Sequence, residues 1–161
     1  MSGLSSDERR LWLEFVAMRR ELDRALAEQL QKDGDLSSAD FDILITLFEA
    51  PDRRLRAGAL AALVGWEKSR VSHQVTRMIS RGLLERTECE DDARGSWISM
   101  TADGRRAILG VMRGHFTEIR RLFFDVLTPE QLEALGGISR SVLDAIASPV
   151  CDEVRSGAVA S

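Results

Sequence analysis

Apolar residues along this chain fall into long helical stripes separated by short polar joints. Leu11, Phe15, Met18, Leu22 and Leu26 recur three and four apart, which predicts an amphipathic helix over residues 7–32 with a seam for another helix. Gly34 is placed to end it. Ser37 and Ser38 can cap a second helix, Ala39 to Glu49, with Asp40 favourable in its first turn and Pro51 as its stop. Residues 53–56, Arg-Arg-Leu-Arg, read as a basic connector of extended character. Residues 58–64 make a small helix that Gly65 closes through a left-handed turn.

The stretch 67–81 is the most informative. On a 3.6-residue period Val71, Val75, Met78 and Ile79 share one face. Opposite them lie Ser69, Arg70, His73, Thr76 and Arg77, a row of hydrogen-bonding groups that includes two guanidiniums. A helix with an apolar back and such a front fits the DNA major groove. Gly82 ends it. Residues 83–87 and 96–100 alternate as strands, with a polar loop at 88–95 between them. Thr101 caps a helix over 102–127, in which Ile108, Met112, Phe116, Ile119, Phe123 and Val126 form another seam. Thr128-Pro129-Glu130-Gln131 is a capping box with proline at the first helical position, and opens a helix over 129–147. The small-residue tail 148–161 is expected to be mobile.

The fold class expected is mainly α with a small β-hairpin wing: a helix-turn-helix lobe over 36–101, flanked by long helices at 7–32 and 102–147, all in one domain. The seams on the flanking helices exceed what one short lobe can cover, which predicts a homodimer with interlocked terminal helices. Net charge is −4, unpromising for nucleic acid, but its distribution reverses that impression. Residues 53–106 hold eleven Lys/Arg against seven Asp/Glu, a local +4 beside −8 elsewhere. The cysteines, Cys89 and Cys151, have neither metal spacing nor a disulfide framework, which suits a reducing cytoplasm. No apolar run is long enough for a membrane span. There is no nucleophile–base pair, no Gly-rich phosphate loop and no paired catalytic carboxylates, so an enzyme is not expected. No metal or cofactor is expected either; the acidic 88–92 run reads as solvated hairpin residues.

The order helix, helix, turn, reading helix and hairpin, flanked by dimer helices, resembles the MarR family of winged-helix transcription regulators over residues 7–147. Four segments carry the likeness: residues 36–41 (Leu-Ser-Ser-Ala-Asp-Phe); 59–61 through 69–72; 81–86 (Arg-Gly-Leu-Leu-Glu-Arg); and Asp92-Ala93-Arg94-Gly95 followed by Met100-Thr101-Ala102-Asp103-Gly104. Met100 stands where leucine is usual. The resemblance implies that Ser69, Arg70, Ser72, His73, Thr76 and Arg77 face the major groove. It implies that Arg94 enters the adjacent minor groove with Asp92 holding it, and that Lys68 and Arg86 meet phosphates. It further implies an aromatic acid or phenol as effector, for which Trp12, Phe15 and Arg19 are candidate wall residues. Two alternatives stand beside a dimeric repressor of a pseudo-palindromic operator: an architectural DNA-binding protein, and a redox-sensing regulator acting through Cys89.

Overall fold

The computed structural model describes residues 3–89 and 92–146, the side chains of 88, 89 and 92–95 excepted. The chain runs α1 (Ser6–Gly34), α2 (Ser38–Glu49), β1 (Arg54–Arg56), α3 (Ala57–Leu63), α4 (Lys68–Ser80), β2 (Leu84–Cys89), β3 (Asp92–Met100), α5 (Ala102–Leu122), a 3-10 turn (Phe124–Val126) and α6 (Pro129–Ile146). The helices start where the caps indicate. The Ser37 hydroxyl accepts from the Asp40 amide, Thr101 from Gly104 and Thr128 from Gln131. α1 has a capping box that sequence reading passed over, Ser5 with Glu8. α1 runs two residues past the expected 32, and Asp35, at φ 51°, is its left-handed cap, with Gly34 still helical.

The basic connector of extended character is a true strand at 54–56, so the wing belongs to a three-stranded antiparallel sheet of order β1-β3-β2. Two other expectations change. Backbone pairing runs into the polar loop, with Glu88 opposite Ser96 and Cys89 opposite Asp92 across an irregularity. The eight-residue loop is therefore mostly strand. Hairpin hydrogen bonding satisfies backbone groups that a long loop would leave to solvent. The helix expected over 102–127 breaks at Phe123, where the chain tightens into the 3-10 turn.

One core joins the lobe to the long helices. Leu36, Ile43, Leu44, Leu47, Leu60, Val71, Val75, Met78, Leu84, Ile98, Ile108 and Val111 are all buried in it. On α5 the buried face is Gly104, Ile108, Val111 and His115, while Phe116 is half exposed. Gly104 is required by a close crossing: a Cβ there would overlap the Leu83 carbonyl oxygen, whose residue also accepts from the Thr101 amide at 3.2 Å. The Thr-x-x-Gly motif thus seats the start of α5 against the end of the reading helix. The tail 148–161, with Cys151, lies outside the described residues.

Candidate nucleic-acid interface

α4 is the centre of the interface. Its back, Val71, Gln74, Val75 and Met78, is buried, and Ser69, Arg70, Ser72, His73, Thr76 and Arg77 are all exposed on the other side, as expected. Lys68 is exposed in its first turn. The Thr76 hydroxyl donates to the Ser72 carbonyl at 2.9 Å, and Ser80 to Arg77 at 2.7 Å. Those protons are spent on the helix, which leaves the Thr76 oxygen as an acceptor. Gly65 (φ 66°) makes the turn into α4 and Gly82 (φ 73°) the turn out of it, conformations that glycine adopts without strain.

Arg70 lies 3.8 Å over the Trp66 ring. Trp66 is half buried against the core, so it is both a packing anchor and the platform for a major-groove candidate. Arg70 also acts on Asp42 of α2. Partial loss of solvent pushes that carboxyl up, and the Arg70 charge opposes the shift. Arg86 is exposed on β2, opposite buried Ile98 and so on the sheet face that looks toward the helices. The side chains of Asp92, Arg94 and Cys89 lie outside the described residues. Among the described residues no group of His, Cys, Asp or Glu could hold a metal.

The residues that set the pitch of α4 escaped the sequence reading. Asp40 is 2% exposed and bonds in four directions. It accepts from the Ser37 amide at 2.9 Å, the Ser37 hydroxyl at 2.8 Å, Gln74 Nε2 at 2.7 Å and Arg81 at 2.7 Å. The second arm of Arg81 reaches the Asp35 carbonyl at 2.7 Å. Burial pushes the Asp40 carboxyl up, but the Ser37 amide, Arg81 and the Ser37 hydroxyl outweigh it and hold it below its ordinary value. A polar Gln74 on the apolar side of α4 was the available signal, since a buried amide needs a partner. Its partner lay 34 residues away.

Trp12 and Phe15 sit 5.8 Å apart on α1 and both are exposed in the single chain, as is Arg19. They do not line the cleft of about 550 Å³ between α1, the 3-10 turn and α6, whose walls include Met18, Leu22, Phe123, Val126, Leu135 and Ile138. No described helix is long and apolar enough to cross a membrane.

Comparison with known proteins agrees with this geometry. A MarR family profile matches residues 34–95, the lobe through the wing. The transcriptional repressor YetL of Bacillus subtilis is 26% identical over 109 residues, a stretch that spans 68% of this chain and 65% of the repressor, just under two thirds of it. Among solved structures, the Streptomyces coelicolor MarR family regulator Sco3205, in complex with DNA, superposes with a TM-score of 0.84 at 33% identity, over 89% of this chain and 94% of that one. AbsC, a MarR family regulator from the same organism, gives 0.86 at 32% identity, over 91% and 99%. With an exposed reading helix, a wing and two solved relatives above 30% identity matched over almost their whole length, the chain belongs to the MarR family of winged-helix, DNA-binding transcription regulators.

Proposed function

We propose that this regulator acts as a homodimeric repressor of a pseudo-palindromic operator. The observation that carries the dimer is the apolar surface a single chain leaves open. Leu11, Trp12, Leu13, Phe15 and Met18 expose 44–67% of their surface on α1, and Ile138, Val142 and Ile146 expose 52–66% on α6. No residue of α6 is buried. Adjacent apolar residues 11, 12 and 13 spread over roughly 200° of a helix with 3.6 residues per turn, so the first half of α1 presents a broad apolar face that needs cover. The open cleft beside α6 has the same character. A second copy that inserts its terminal helices covers these surfaces and sets two reading helices about one DNA turn apart, ~34–36 Å.

In this reading Arg77, His73, Ser69, Ser72 and Thr76 meet base edges or phosphates, Arg70 works from its Trp66 platform, and Lys68 and Arg86 hold the backbone. Arg94, supported by Asp92, enters the minor groove from the wing. Repression is steric: the bound dimer excludes polymerase. A small aromatic effector would meet Trp12, Phe15 and Arg19 where the second protomer closes over them, and would act by preferring one spacing of the two lobes.

Selection from a random duplex library at near-physiological salt tests the reading, with sedimentation giving the oligomeric state. The expected result is an enriched inverted repeat with half-sites about ten base pairs apart, bound by a dimer. Salt-sensitive binding without enrichment would favour an architectural role, and a monomer on DNA would remove the palindromic mechanism.

A further inference from the structure

A cavity of about 370 Å³, within the size range of small-molecule sites, lies between α1, α2 and α5 and shares no wall residue with the apolar cleft beside α6. Asp23, Leu26 and Leu30 reach it from one face of α1, and Ser38, Phe41 and Asp42 from one face of α2, each set three or four residues apart. α5 contributes His115. Leu30, Phe41 and His115 are buried and form the floor, whereas Asp23 and Asp42 are exposed at the rim. No lysine or arginine lines it, and Trp12, Phe15 and Arg19 take no part in it.

Neither rim acid is spent on the protein. Among the described residues the Asp23 and Asp42 carboxylates make no hydrogen bond and no salt bridge. Arg24, next to Asp23, is tied instead to Glu21 at 2.7 Å and Glu28 at 2.8 Å. Loss of solvent pushes the Asp42 carboxyl up and the Asp23 charge adds to it, against the Arg70 charge on the reading helix. His115 gives an independent sign of a ligand. It is 6% exposed, and its Nδ1 faces Gln29 Oε1 at 2.9 Å. An amide oxygen only accepts, so Nδ1 donates and Nε2 of the neutral ring holds a lone pair that no described residue meets. Every fully enclosed side-chain polar atom among the described residues has a partner, so Nε2 opens onto free space, and the cavity is space that His115 borders.

We propose that this cavity binds a small organic ammonium ion whose apolar body ends in a second hydrogen-bond donor, and that this amine is an effector. Asp23 and Asp42 hold the ammonium at the rim, Leu26, Leu30 and Phe41 cover the body, and His115 Nε2 accepts from the second donor on the floor. A bare metal ion does not suit the wall, because among the described residues no group of His, Cys, Asp or Glu could hold one. An aromatic acid would meet two like charges and no cation here. α1 and α5 are flanking helices and α2 belongs to the DNA-binding lobe, so the occupant touches both parts whose spacing the repressor reading invokes. The effector role rests on that reading; the binding site does not.

The test is titration calorimetry of the full chain at neutral pH with tyramine, which carries an ammonium, a ring and a phenolic O–H. Phenethylamine lacks the hydroxyl, tyrosol has an alcohol in place of the ammonium, and desaminotyrosine has a carboxylate there. Tyramine is expected to bind once per protomer, about tenfold tighter than tyrosol, with desaminotyrosine weaker still. Asp23→Asn and Asp42→Asn are near-isosteric changes at exposed positions, and the double variant should bind tyramine about tenfold more weakly, at the level of tyrosol. His115→Phe should abolish the advantage of tyramine over phenethylamine, a ratio that loss of folded protein does not change. Equal binding of tyramine and tyrosol overturns the proposal. So does a preference for desaminotyrosine, unchanged affinity in the double variant, or no binding of either amine. Operator titration with and without saturating tyramine reads the effector role: a shift of about fivefold or more is expected, and no shift overturns that role. If the chain binds no operator, the repressor reading is what has failed, and calorimetry still decides the site.

Discussion

Replacing Asp40 with alanine tests whether a buried carboxylate fixes the reading helix. The substitution removes the Ser37–Asp40 capping box from α2, about 1 kcal/mol. It also strips Gln74, 8% exposed, of its partner, and an unpaired buried amide costs about 1–3 kcal/mol. Arg81 loses its ion pair; because its side chain is 40% exposed, that loss is closer to the ~0.5 kcal/mol of a solvated pair than to a buried one. Together these give about 3 kcal/mol. Urea unfolding at one fixed protein concentration measures it, since a dimer's stability moves with concentration. A change below about 0.5 kcal/mol would refute the reasoning, because it would mean that the network is solvated and carries no load. The acid limb provides a second check. A depressed native carboxyl contributes stability that is complete above its unfolded pKa and is lost as pH falls through the lower folded value. Asp40→Asn should therefore flatten the stability profile below about pH 4. With Gln74 released, the back of α4 is held by the apolar contacts of Val71, Val75, Met78 and Ile79, and apolar contacts alone permit sliding. DNA affinity should fall even under conditions where the variant is fully folded.

Gly104→Ala forces a methyl into the Leu83 carbonyl, and should cost about 2 kcal/mol or more by thermal unfolding, although alanine is the better helix former. His115 is buried, packs tilted against Phe41 with ring centroids 4.2 Å apart, and its Nδ1 faces Gln29 Oε1 at 2.9 Å. Gln29 donates through Nε2 to Asp33 at 2.8 Å, which leaves its Oε1 as an acceptor and makes Nδ1 the donor. Burial lowers its pKa, so stability is complete above about pH 6.5 and declines as pH falls toward the depressed folded value; His115→Gln should remove that decline from the pH profile of the melting temperature. Trp66→Leu keeps an apolar anchor but removes the platform under Arg70, and should weaken operator binding by about 0.5–1 kcal/mol per half-site in a titration. Arg77→Ala should cost ~1–3 kcal/mol per half-site and relax preference at one base pair in a repeated selection.

What the sequence determined was whatever acts within about four residues along the chain. The 3.6-residue spacing of Val71, Val75 and Met78 already placed Ser69, His73 and Arg77 on the open side of α4. The hydroxyls of Ser37, Thr101 and Thr128 marked helix starts because a cap bonds to an amide two or three residues away. Gly65 and Gly82 marked turns because little else tolerates their φ. Tertiary structure decided what depended on distant partners. β1 is a strand only because residues 97–99 are there to pair with it, and strand pairing ran through the polar stretch that local pattern read as loop. On α5, the apolar spacing put Phe116 in the seam, while contact with Gln29 and Phe41 buries His115 beside it. Asp40, Gln74 and Arg81 are ordinary polar residues in sequence. They become one network only when α2 and α4 cross, because burial makes each need the others and no local rule can express that need.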